Sequence, residues 1–313
     1  MTVTKANSQI LITPCYFFIF MDQNNCFVCG TLSKKTIHAK ESAMHECKFC
    51  GAMWQPELKQ EDFYKHIYDE NYYKKIWGYS KETDHLVSRS KWYVSKKFIR
   101  LLHQYKRGGT VLEVGCGLGY LLSLLQRDSF CYDVYGVEIS PFAKKIAEER
   151  IGKGRIFQNL EDAKKKKLQF DSILLFDSME HIPDQDKLLR DIDELLAPEG
   201  IVLVIMPSAS SWTKKIMGKY WLEYKQDHVI FYSKKSLRQQ LAKHGFKIDY
   251  LASTWKSVTL YYLISYLSVF RIPAVSYFLS LLKKMLPEFA LNTPLSFPVG
   301  QMTVVFSKKS ILL

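Results

Sequence analysis

The sequence predicts a doubly wound α/β domain with a mostly parallel seven-stranded sheet, an antiparallel last strand and a small N-terminal metal-binding module. The first observation is that apolar strand segments alternate with helical segments from residue 106 to residue 255. Strands that are apolar on both faces and alternate with helices are typical of a parallel sheet covered by helices. The second observation is that two C-x-x-C motifs precede this region.

The order of the elements follows from local signals. Pro141 stands in the first turn of the second predicted helix, a position that proline favours. The segment "APEG" ends the helix that precedes the last parallel strand. Together the segments predict a Rossmann-like sheet, and residues 296–313 supply its last strand. The predicted elements are strand 110–115, helix 120–128, strand 133–139, helix 141–150, strand 155–159, strand 170–178, helix 186–196, strand 200–208, helix 233–246, strand 247–254 and strand 300–309.

Residues 56–105 are predicted to connect the metal-binding module to the sheet. The first part is rich in aromatic residues, and we interpret it as the cover of a pocket or as packing between the two regions. Stacking on nucleic-acid bases is the alternative, but no fold motif for it accompanies these residues. Residues 84–105 have the spacing of a helix with one apolar face, formed by Leu86, Trp92, Tyr93, Phe98, Ile99, Leu101 and Leu102.

The N-terminal module, residues 26–55, contains "CFVCG" and "CKFCG". Their spacing is typical of a four-cysteine zinc ribbon, in which four thiolates enclose a structural Zn²⁺. Unliganded thiols with a redox role are the alternative, and His38 or His45 could replace a cysteine ligand. Paired cysteines used in this way indicate a reducing compartment, so we expect a cytoplasmic protein. The predicted ligands are Cys26, Cys29, Cys47 and Cys50.

Two further segments flank these regions. Residues 1–25 are predicted to be a disordered tail, and Met21 is an alternative start of translation. Residues 256–295 form a hydrophobic helical insertion between the last two strands. The first apolar run of the insertion, Val258 to Phe270, is too short to span a bilayer. We consider three alternatives for residues 256–292: buried packing or dimerisation, peripheral contact with the cytoplasmic face of a membrane, and a true membrane span, which the shortness of the run disfavours.

The chain carries a formal net charge of +13. An excess of this size favours anionic partners such as nucleic acid, phosphorylated substrates or an acidic membrane surface. A solvated basic surface without such a partner is the alternative.

A glycine-rich turn follows the first core strand in "VLEVGCGLGY", where Glu113 precedes three alternating glycines. Glycines in a turn from strand to helix allow the backbone to approach a ligand at the carboxyl edge of the sheet. The spacing is G-x-G-x-G, whereas a dinucleotide site has G-x-G-x-x-G, and the carboxylate of Glu113 would repel a pyrophosphate. A second acid, Glu138, ends the next strand, where it can accept hydrogen bonds from ribose hydroxyls.

A ribose combined with a cationic amino-acid group describes S-adenosylmethionine (SAM). At this point the sequence resembles the class I SAM-dependent methyltransferases, with "LEVGCGLG" and "VEIS" as the first two motifs. "NLED" and "FDSILLFDSMEHIPD" match later motifs in the same order. The N-terminal cysteine pairs and Tyr68, Tyr72 and Tyr73 make the chain similar to methyltransferases of surface-polysaccharide and sugar modification. "SMEHIPD" is also similar to the ubiquinone-type O-methyltransferases.

The resemblance implies roles for individual residues. Glu113 would orient the methionine part of SAM, Glu138 would bind the ribose, and Ile139 would lie against the adenine. Cys116, within the turn, would act as a small apolar filler. The full set implied to bind the cofactor is Glu113, Gly115, Cys116, Gly117, Gly119, Glu138, Ile139, Leu160, Glu161 and Asp177.

A sugar hydroxyl is a poor nucleophile, so a positioned base helps the transfer. His181 follows the fourth core strand and His228 lies in a later loop, and we expect one of them to be the base. A structural role is the alternative for each histidine. The ubiquinone-type enzymes have a related E-x-x-E-H pattern that is associated with a divalent cation. Here the first residue is the shorter Asp177, which disfavours a cation held by Asp177, Glu180 and His181.

Three hypotheses for the function follow. The first is methylation of a small-molecule or glycan acceptor, in particular a sugar hydroxyl of a surface polysaccharide or a lipid-linked glycan. The second is methylation of RNA, with the ribbon and Lys164–Lys167 binding phosphate. A single run of charge is usually solvated, which favours the first hypothesis. The third is a SAM-binding scaffold without catalytic activity.

Overall fold

We describe the protein from a computed structural model. The predicted tail, residues 1–25, falls almost entirely outside the described residues. Residues 57–66 also fall outside them; they belong to the predicted connection 56–105, which we call the aromatic connector. The described ranges are 24–32, 35–39, 42–56, 67–267 and 273–309.

The strands of the described ranges form two sheets. They are, in chain order, β1 (Lys35–His38), β2 (Ala43–Glu46), β3 (Met53–Trp54), β4 (Thr110–Val114), β5 (Asp133–Val137), β6 (Ile156–Phe157), β7 (Phe170–Phe176), β8 (Leu196–Pro207), β9 (Ile230–Phe231), β10 (Phe246–Thr259) and β11 (Pro294–Lys308).

Several helices begin at side chains that cap them. Ser140, Asn159 and Ser233 each accept a hydrogen bond from a backbone amide of the first turn of their helix. The α-helices are α1 (Glu70–Ile76), α2 (Asp84–Tyr105), α3 (Tyr120–Gln126), α4 (Pro141–Ile151), α5 (Leu160–Lys165), α6 (Gln185–Leu195), α7 (Trp212–Met217), α8 (Lys234–Lys243), α9 (Leu260–Leu267), α10 (Pro273–Met285) and α11 (Glu288–Leu291).

The large sheet has seven strands in the order β10-β11-β8-β7-β4-β5-β6. Strands β4 to β8 are parallel, and β11 pairs antiparallel with both β8 and β10. This arrangement confirms the predicted Rossmann-like fold with its antiparallel last strand. Because the strands β4, β5 and β7 end at the same edge, the segments that follow them meet there.

The small sheet has the order β1-β2-β3-β9. Strands β1 to β3 belong to the cysteine module, whereas β9 follows α7 in the large domain. Met53 and Trp54 of β3 pair with Phe231 and Ile230. The sequence analysis did not anticipate this strand pair, which joins the cysteine module to the large domain.

The insertion begins later than its expected start at residue 256. Strand β10 continues to Thr259, where it still pairs with Pro294 of β11. Helices α9 to α11 lie between these two strands. Across the described ranges, no helix is both long and apolar enough to cross a bilayer.

Helix α2 has the bounds that the sequence predicts. Val87, Phe98 and Leu102 are buried along it. Trp92, however, was assigned to the apolar face and is exposed. The aromatic ring of Trp92 instead contacts Tyr93 and the amino group of Lys96 on the outer side of the helix.

Candidate functional site

The four predicted metal ligands lie together at the N-terminal module. The Sγ atoms of Cys26 and Cys50 are 3.4 Å apart. The Sγ atom of Cys29 lies 3.6 Å from that of Cys47 and 3.7 Å from that of Cys50. A tetrahedral zinc site with Zn–S bonds of about 2.3 Å places its sulfurs about 3.8 Å apart. The cluster therefore has the size and the thiol chemistry that Zn²⁺ requires, and its four thiols form no disulfide.

The cysteine module also holds a loop of the large domain. The side-chain amide of Gln55 donates to the carbonyl oxygens of Gln226 and His228, at 3.1 and 3.0 Å. Its backbone amide donates to the carbonyl of Val229 at 2.9 Å. Gln55 is buried, so these bonds are shielded from water. The segment 225–229, with Asp227 and His228, is thus fixed by the module that the cysteines organise.

The glycine turn lies between β4 and α3 at the carboxyl edge of the sheet. Gly115, Gly117 and Gly119 have φ angles of 77°, 53° and 76°, values that disfavour other residues. A Cβ on Gly115 would lie 2.8 Å from Ser178, and one on Gly117 would lie 2.8 Å from Trp77. The turn therefore requires glycine, both for its backbone angles and for its close packing against Ser178 and Trp77, and Gly115 alone of the three lines the cavity beside it.

Glu113 ends β4 directly before this turn. Its side chain is buried, and Oε2 has no hydrogen-bond partner among the described residues. Burial raises the pKa of its carboxyl group well above the usual value, while the charge of Lys91 opposes the shift. An isolated buried carboxyl group of this kind fits the ammonium group of a bound amino acid.

Glu138 lies at the end of β5, as predicted for the ribose-binding acid. Its two oxygens accept hydrogen bonds from the amides of Gly117 at 2.7 Å and Ser140 at 2.8 Å. Burial raises the pKa of Glu138 to about 7, and the two amides oppose that shift. Each carboxylate oxygen retains a lone pair that can accept from a hydroxyl group.

Helix α1 covers this end of the site. The ring of Trp77, at its C-terminus, contacts Gly117 and stacks on Tyr120. Tyr73 is buried beside Trp77, with its ring 5.2 Å away. The aromatic connector therefore covers the glycine turn, in agreement with one of its two predicted roles.

A cavity of about 470 Å³ opens beside the turn. Six of the predicted site residues line it: Glu113, Gly115, Cys116, Asp177, His181 and His228. Five acidic residues and two lysines are part of its wall, although the whole chain is strongly basic. The acids are Glu113, Asp177, Glu180, Glu223 and Asp227, and the lysines are Lys91 and Lys225.

Other predicted cofactor-binding residues lie outside the cavity wall. Gly117, Gly119 and Glu138 are buried beneath α1 or against α4. Ile139 is partly buried against the core beside Leu160. Glu161 is exposed and forms an ion pair with Lys187 at 2.7 Å. The structure thus leaves the adenine-binding roles of Ile139, Leu160 and Glu161 as predictions, and it holds Glu161 in a surface ion pair.

His181 lies on the cavity wall, and one backbone contact decides which nitrogen of its neutral ring carries the proton. Its Nδ1 is 2.8 Å from the backbone carbonyl oxygen of Asp227, which can only accept a hydrogen bond. Nδ1 therefore carries the proton, and Nε2 has the lone pair. Tyr68 lies 3.0 Å from the same Nδ1 and donates to the Asp227 carboxylate at 3.1 Å.

The second predicted histidine lies next to the first. The rings of His181 and His228 meet edge to face with centroids 4.6 Å apart. His228 is buried, and its Nδ1 lies 3.7 Å from a carboxylate oxygen of Glu223. His181 is the more accessible of the two rings, so it has the better geometry for a base.

The cation site that the sequence disfavours is not brought together by the fold either. Ligand atoms of Glu180, His181 and His228 lie within 4.8 Å of one another, and Asp177 is outside this set. Asp177 has a positive φ of 49°, and its carboxylate accepts a hydrogen bond from Gln301. The set Asp177, Glu180 and His181 therefore does not converge, because the strained backbone of Asp177 turns its side chain towards Gln301 of β11. A divalent cation at this wall would bind Glu180, His181 and His228.

Three contributors to the site were missed by the sequence analysis. Tyr68 and Asp227 fix His181, and Gln55 fixes the loop that carries Asp227. The tyrosine-rich motif around Tyr68 was noticed, but nothing in the sequence indicated its partner. No periodicity or motif signals Gln55 or Asp227, since both act through contacts with residues that are distant in the chain.

The pH dependence of cofactor binding should report on Glu138. Its pKa of about 7 in the folded state exceeds the usual 4.5, so the ionised carboxylate, the form that would accept from ribose hydroxyls, becomes the major form only as the pH rises through 7. The affinity for SAM should increase from pH 6 to pH 8, by up to about tenfold per pH unit. Calorimetric titration at several pH values measures this. In the variant Glu138→Gln this increase of affinity with pH should disappear. The same pH dependence in the variant and the wild type would show that Glu138 is not its cause.

The sequence has relatives among characterised proteins. Phosphoethanolamine N-methyltransferase 2 of Caenorhabditis elegans is 32% identical over 116 residues, which cover 35% of this chain and 26% of that protein. Cyclopropane-fatty-acyl-phospholipid synthase of Escherichia coli is 33% identical over 129 residues, which cover 41% of this chain and 33% of that protein. The chain thus spans a quarter to a third of the length of these two relatives.

Similar folds occur among solved structures. A putative sarcosine dimethylglycine methyltransferase from Galdieria sulphuraria aligns with 75% of this chain and 96% of its own, with 17% sequence identity and a TM-score of 0.48. The family match covers a longer stretch of this chain than either of the two relatives above. A family model described as a methyltransferase domain matches residues 88–251, just over half of the chain. The chain therefore belongs to the methyltransferase domain family.

Proposed function

We propose that this methyltransferase transfers a methyl group from SAM to a small-molecule or glycan acceptor, in particular a sugar hydroxyl, that binds in the cavity. The observation that carries the proposal is His181. Its Nδ1 proton is held by the carbonyl of Asp227, which leaves Nε2 to accept a proton in the same cavity that Glu113 and Gly115 line. A neutral imidazole with a fixed tautomer can act as a general base near pH 7.

The residues around the turn fit SAM. Glu113 offers a buried carboxyl group to the ammonium, Gly115 brings exposed backbone without a side chain to the cavity wall, and Glu138 offers carboxylate oxygens to the ribose. When bound, SAM supplies an electrophilic methyl group on its sulfonium. The chain orients the two reactants, and the aromatic cover of α1 and Trp77 limits the access of water.

The size and charge of the cavity support a small acceptor. A volume of about 470 Å³ is within the range of sites for small molecules. The acidic wall disfavours a polyanion such as RNA. Lys164, the first residue of the basic run, binds Asp191 at 2.5 Å and Glu194 at 2.9 Å, and Lys165 binds Asp162 at 2.8 Å. These lysines are therefore already engaged by acids. By their names, the two curated relatives act on phosphoethanolamine and on a phospholipid, which are not nucleic acids.

We also infer that the four-cysteine cluster binds a structural Zn²⁺. The spacing of its sulfur atoms and their burial support a site closed to solvent. Through Gln55, the metal would organise the loop of Asp227 and His228 without taking part in the chemistry.

The test begins with calorimetric titration of the zinc-loaded protein with SAM. We expect saturable binding that weakens at least about tenfold in Glu138→Ala, because the ribose hydroxyls lose their acceptor. Glu199→Gln, an exposed acid on β8, is the matched control and should bind normally. NADPH should give no signal. A folded protein that does not bind SAM would refute the site.

The acceptor class is then identified with SAM that carries a labelled methyl group. Wild-type protein is incubated with lipid, glycan and RNA fractions of a cell extract. Label in the glycan or lipid-linked glycan fraction supports the proposal. Label confined to RNA would favour the nucleic-acid hypothesis, and SAM binding without label in any fraction would favour the scaffold.

A further inference from the structure

Two exposed apolar surfaces border the cavity. The first, which we name the α7 surface, consists of Trp212, Ile216 and Tyr220 of α7 and the turn after it. Their side chains are 51%, 75% and 69% exposed. Large apolar side chains clustered at such exposure are uncommon on a soluble protein without a binding partner.

The inner side of the same segment faces the cavity. Thr213, Met217 and Trp221 line its wall. The indole of Trp221 donates to Thr213 at 3.0 Å, which ties the turn to the helix. The α7 surface is therefore the outer side of one wall of the acceptor cavity.

The second surface, which we name the α10 surface, lies on the insertion. Tyr277, Phe278, Leu281, Met285 and Phe289 are exposed at helical spacing, and Phe289 belongs to α11. The opposite side of α10 carries Leu279 and Leu282, which pack against the core together with Leu286, directly after the helix. Helix α10 is thus apolar on both sides, and only one side is covered within the described residues.

The α10 surface is linked to the same cavity through α9. Tyr262 and Leu263 of α9 line the cavity wall, and α10 packs on α9. Lys283 bridges the two helices, because its amino group donates to Ser265 at 2.8 Å. Two exposed apolar surfaces therefore back two walls of one cavity.

The charges at these surfaces identify the kind of partner. Lys215 and Lys219 are exposed among the apolar residues of the α7 surface, and Lys284 is exposed on the α10 surface, with Glu288 as the one acid in that stretch of the described chain. Aromatic and aliphatic side chains interspersed with lysines are typical of segments that lie in the interface of an anionic bilayer. The net charge of +13 acts in the same direction.

We propose that the α7 and α10 surfaces dock the protein on an anionic lipid bilayer, with the acceptor cavity beside the membrane. The contact is peripheral, since the helices that carry it are short. Such docking would bring a lipid-linked acceptor to the cavity. In that respect it extends the proposed function, but membrane binding itself needs neither acceptor nor turnover.

Co-sedimentation with vesicles tests the proposal. The full-length, zinc-loaded protein is mixed with vesicles of phosphatidylcholine alone or with added phosphatidylglycerol. We expect sedimentation with the anionic vesicles that decreases at high salt, and little with the neutral ones. Lys215→Ser and Lys219→Ser should each weaken binding by about fivefold. Ile216→Ser and Phe289→Ser should weaken it through loss of insertion.

Controls separate this result from other causes. Trp92→Ser removes an exposed aromatic residue on the outer side of α2 that belongs to neither surface, and it should bind vesicles normally. SAM affinity and the melting temperature should be unchanged in all variants, so a loss of vesicle binding cannot reflect unfolding or failure of the cofactor site. Absence of wild-type binding to anionic vesicles would overturn the proposal. So would equal binding by the surface variants, or a dimer in analytical ultracentrifugation that Ile216→Ser dissociates.

Discussion

Replacing His181 by alanine is expected to reduce methyl transfer by about 10²- to 10⁴-fold, the usual contribution of a general base. Nε2 of His181 is the base in the proposed reaction, and its neighbour His228 is buried and lies against Glu223. The affinity for SAM should change little, because the imidazole of His181 hydrogen-bonds to Tyr68 and Asp227 and not to the glycine turn or Glu138. The measurement is transfer of label from SAM into the extract fraction that the wild-type protein labels, together with calorimetric SAM binding.

His244→Ala is the matched control for this prediction. His244 follows α8 and hydrogen-bonds to Asp186 at 2.7 Å, and it is not part of the cavity wall. Its replacement should leave transfer intact. Activity of His181→Ala within a few-fold of the wild type would rule out the base role. A parallel loss of SAM affinity would instead indicate that His181 maintains the shape of the cofactor site.

Removal of the proposed zinc ion should have the largest effect on stability. Four buried or partly buried thiols without a metal repel one another once ionised and no longer fix the two cysteine loops. We expect Cys47→Ser or chelation to lower the melting temperature by about 5 °C or more. Amide hydrogen exchange should accelerate at residues 225–229 as well, since Gln55 positions that segment from the cysteine module.

Two variants serve as comparisons for this experiment. Cys131→Ser changes an exposed cysteine outside the cluster and should leave stability unchanged. Gln55→Leu keeps the metal ligands but removes the bonds to the loop carbonyls, at a cost of about 1–3 kcal/mol. Slow exchange at 225–229 in the metal-free protein would show that the module does not organise the site.

The parts of the fold that were predicted correctly depend on short stretches of chain. Apolar strand segments and amphipathic helices alternate visibly along the sequence, so the doubly wound parallel sheet was predicted from that pattern. The glycine turn and the cysteine pairs are equally local, since backbone freedom and thiol chemistry are properties of single residue types.

The parts that were missed depend on contacts between distant segments. Strand β9 has two residues, too few for a periodic signal, yet its pairing with β3 attaches the cysteine module. The sequence analysis judged Asp177 as a cation ligand by its spacing and length alone, whereas the backbone turns that side chain towards Gln301. Spacing along the chain does not specify the direction of a side chain in a strained turn.

The sequence by itself determined the sheet, the position of the glycine turn, the acids at the ends of β4 and β5, and the cysteine cluster, because each follows from local geometry or residue chemistry. Only the tertiary structure decided which groups share the cavity. It paired His181 with Asp227 and Tyr68, placed His228 and Glu180 beside them, and tied their loop to Gln55. These contacts join segments that the chain keeps far apart, and the packing of the two sheets brings them together.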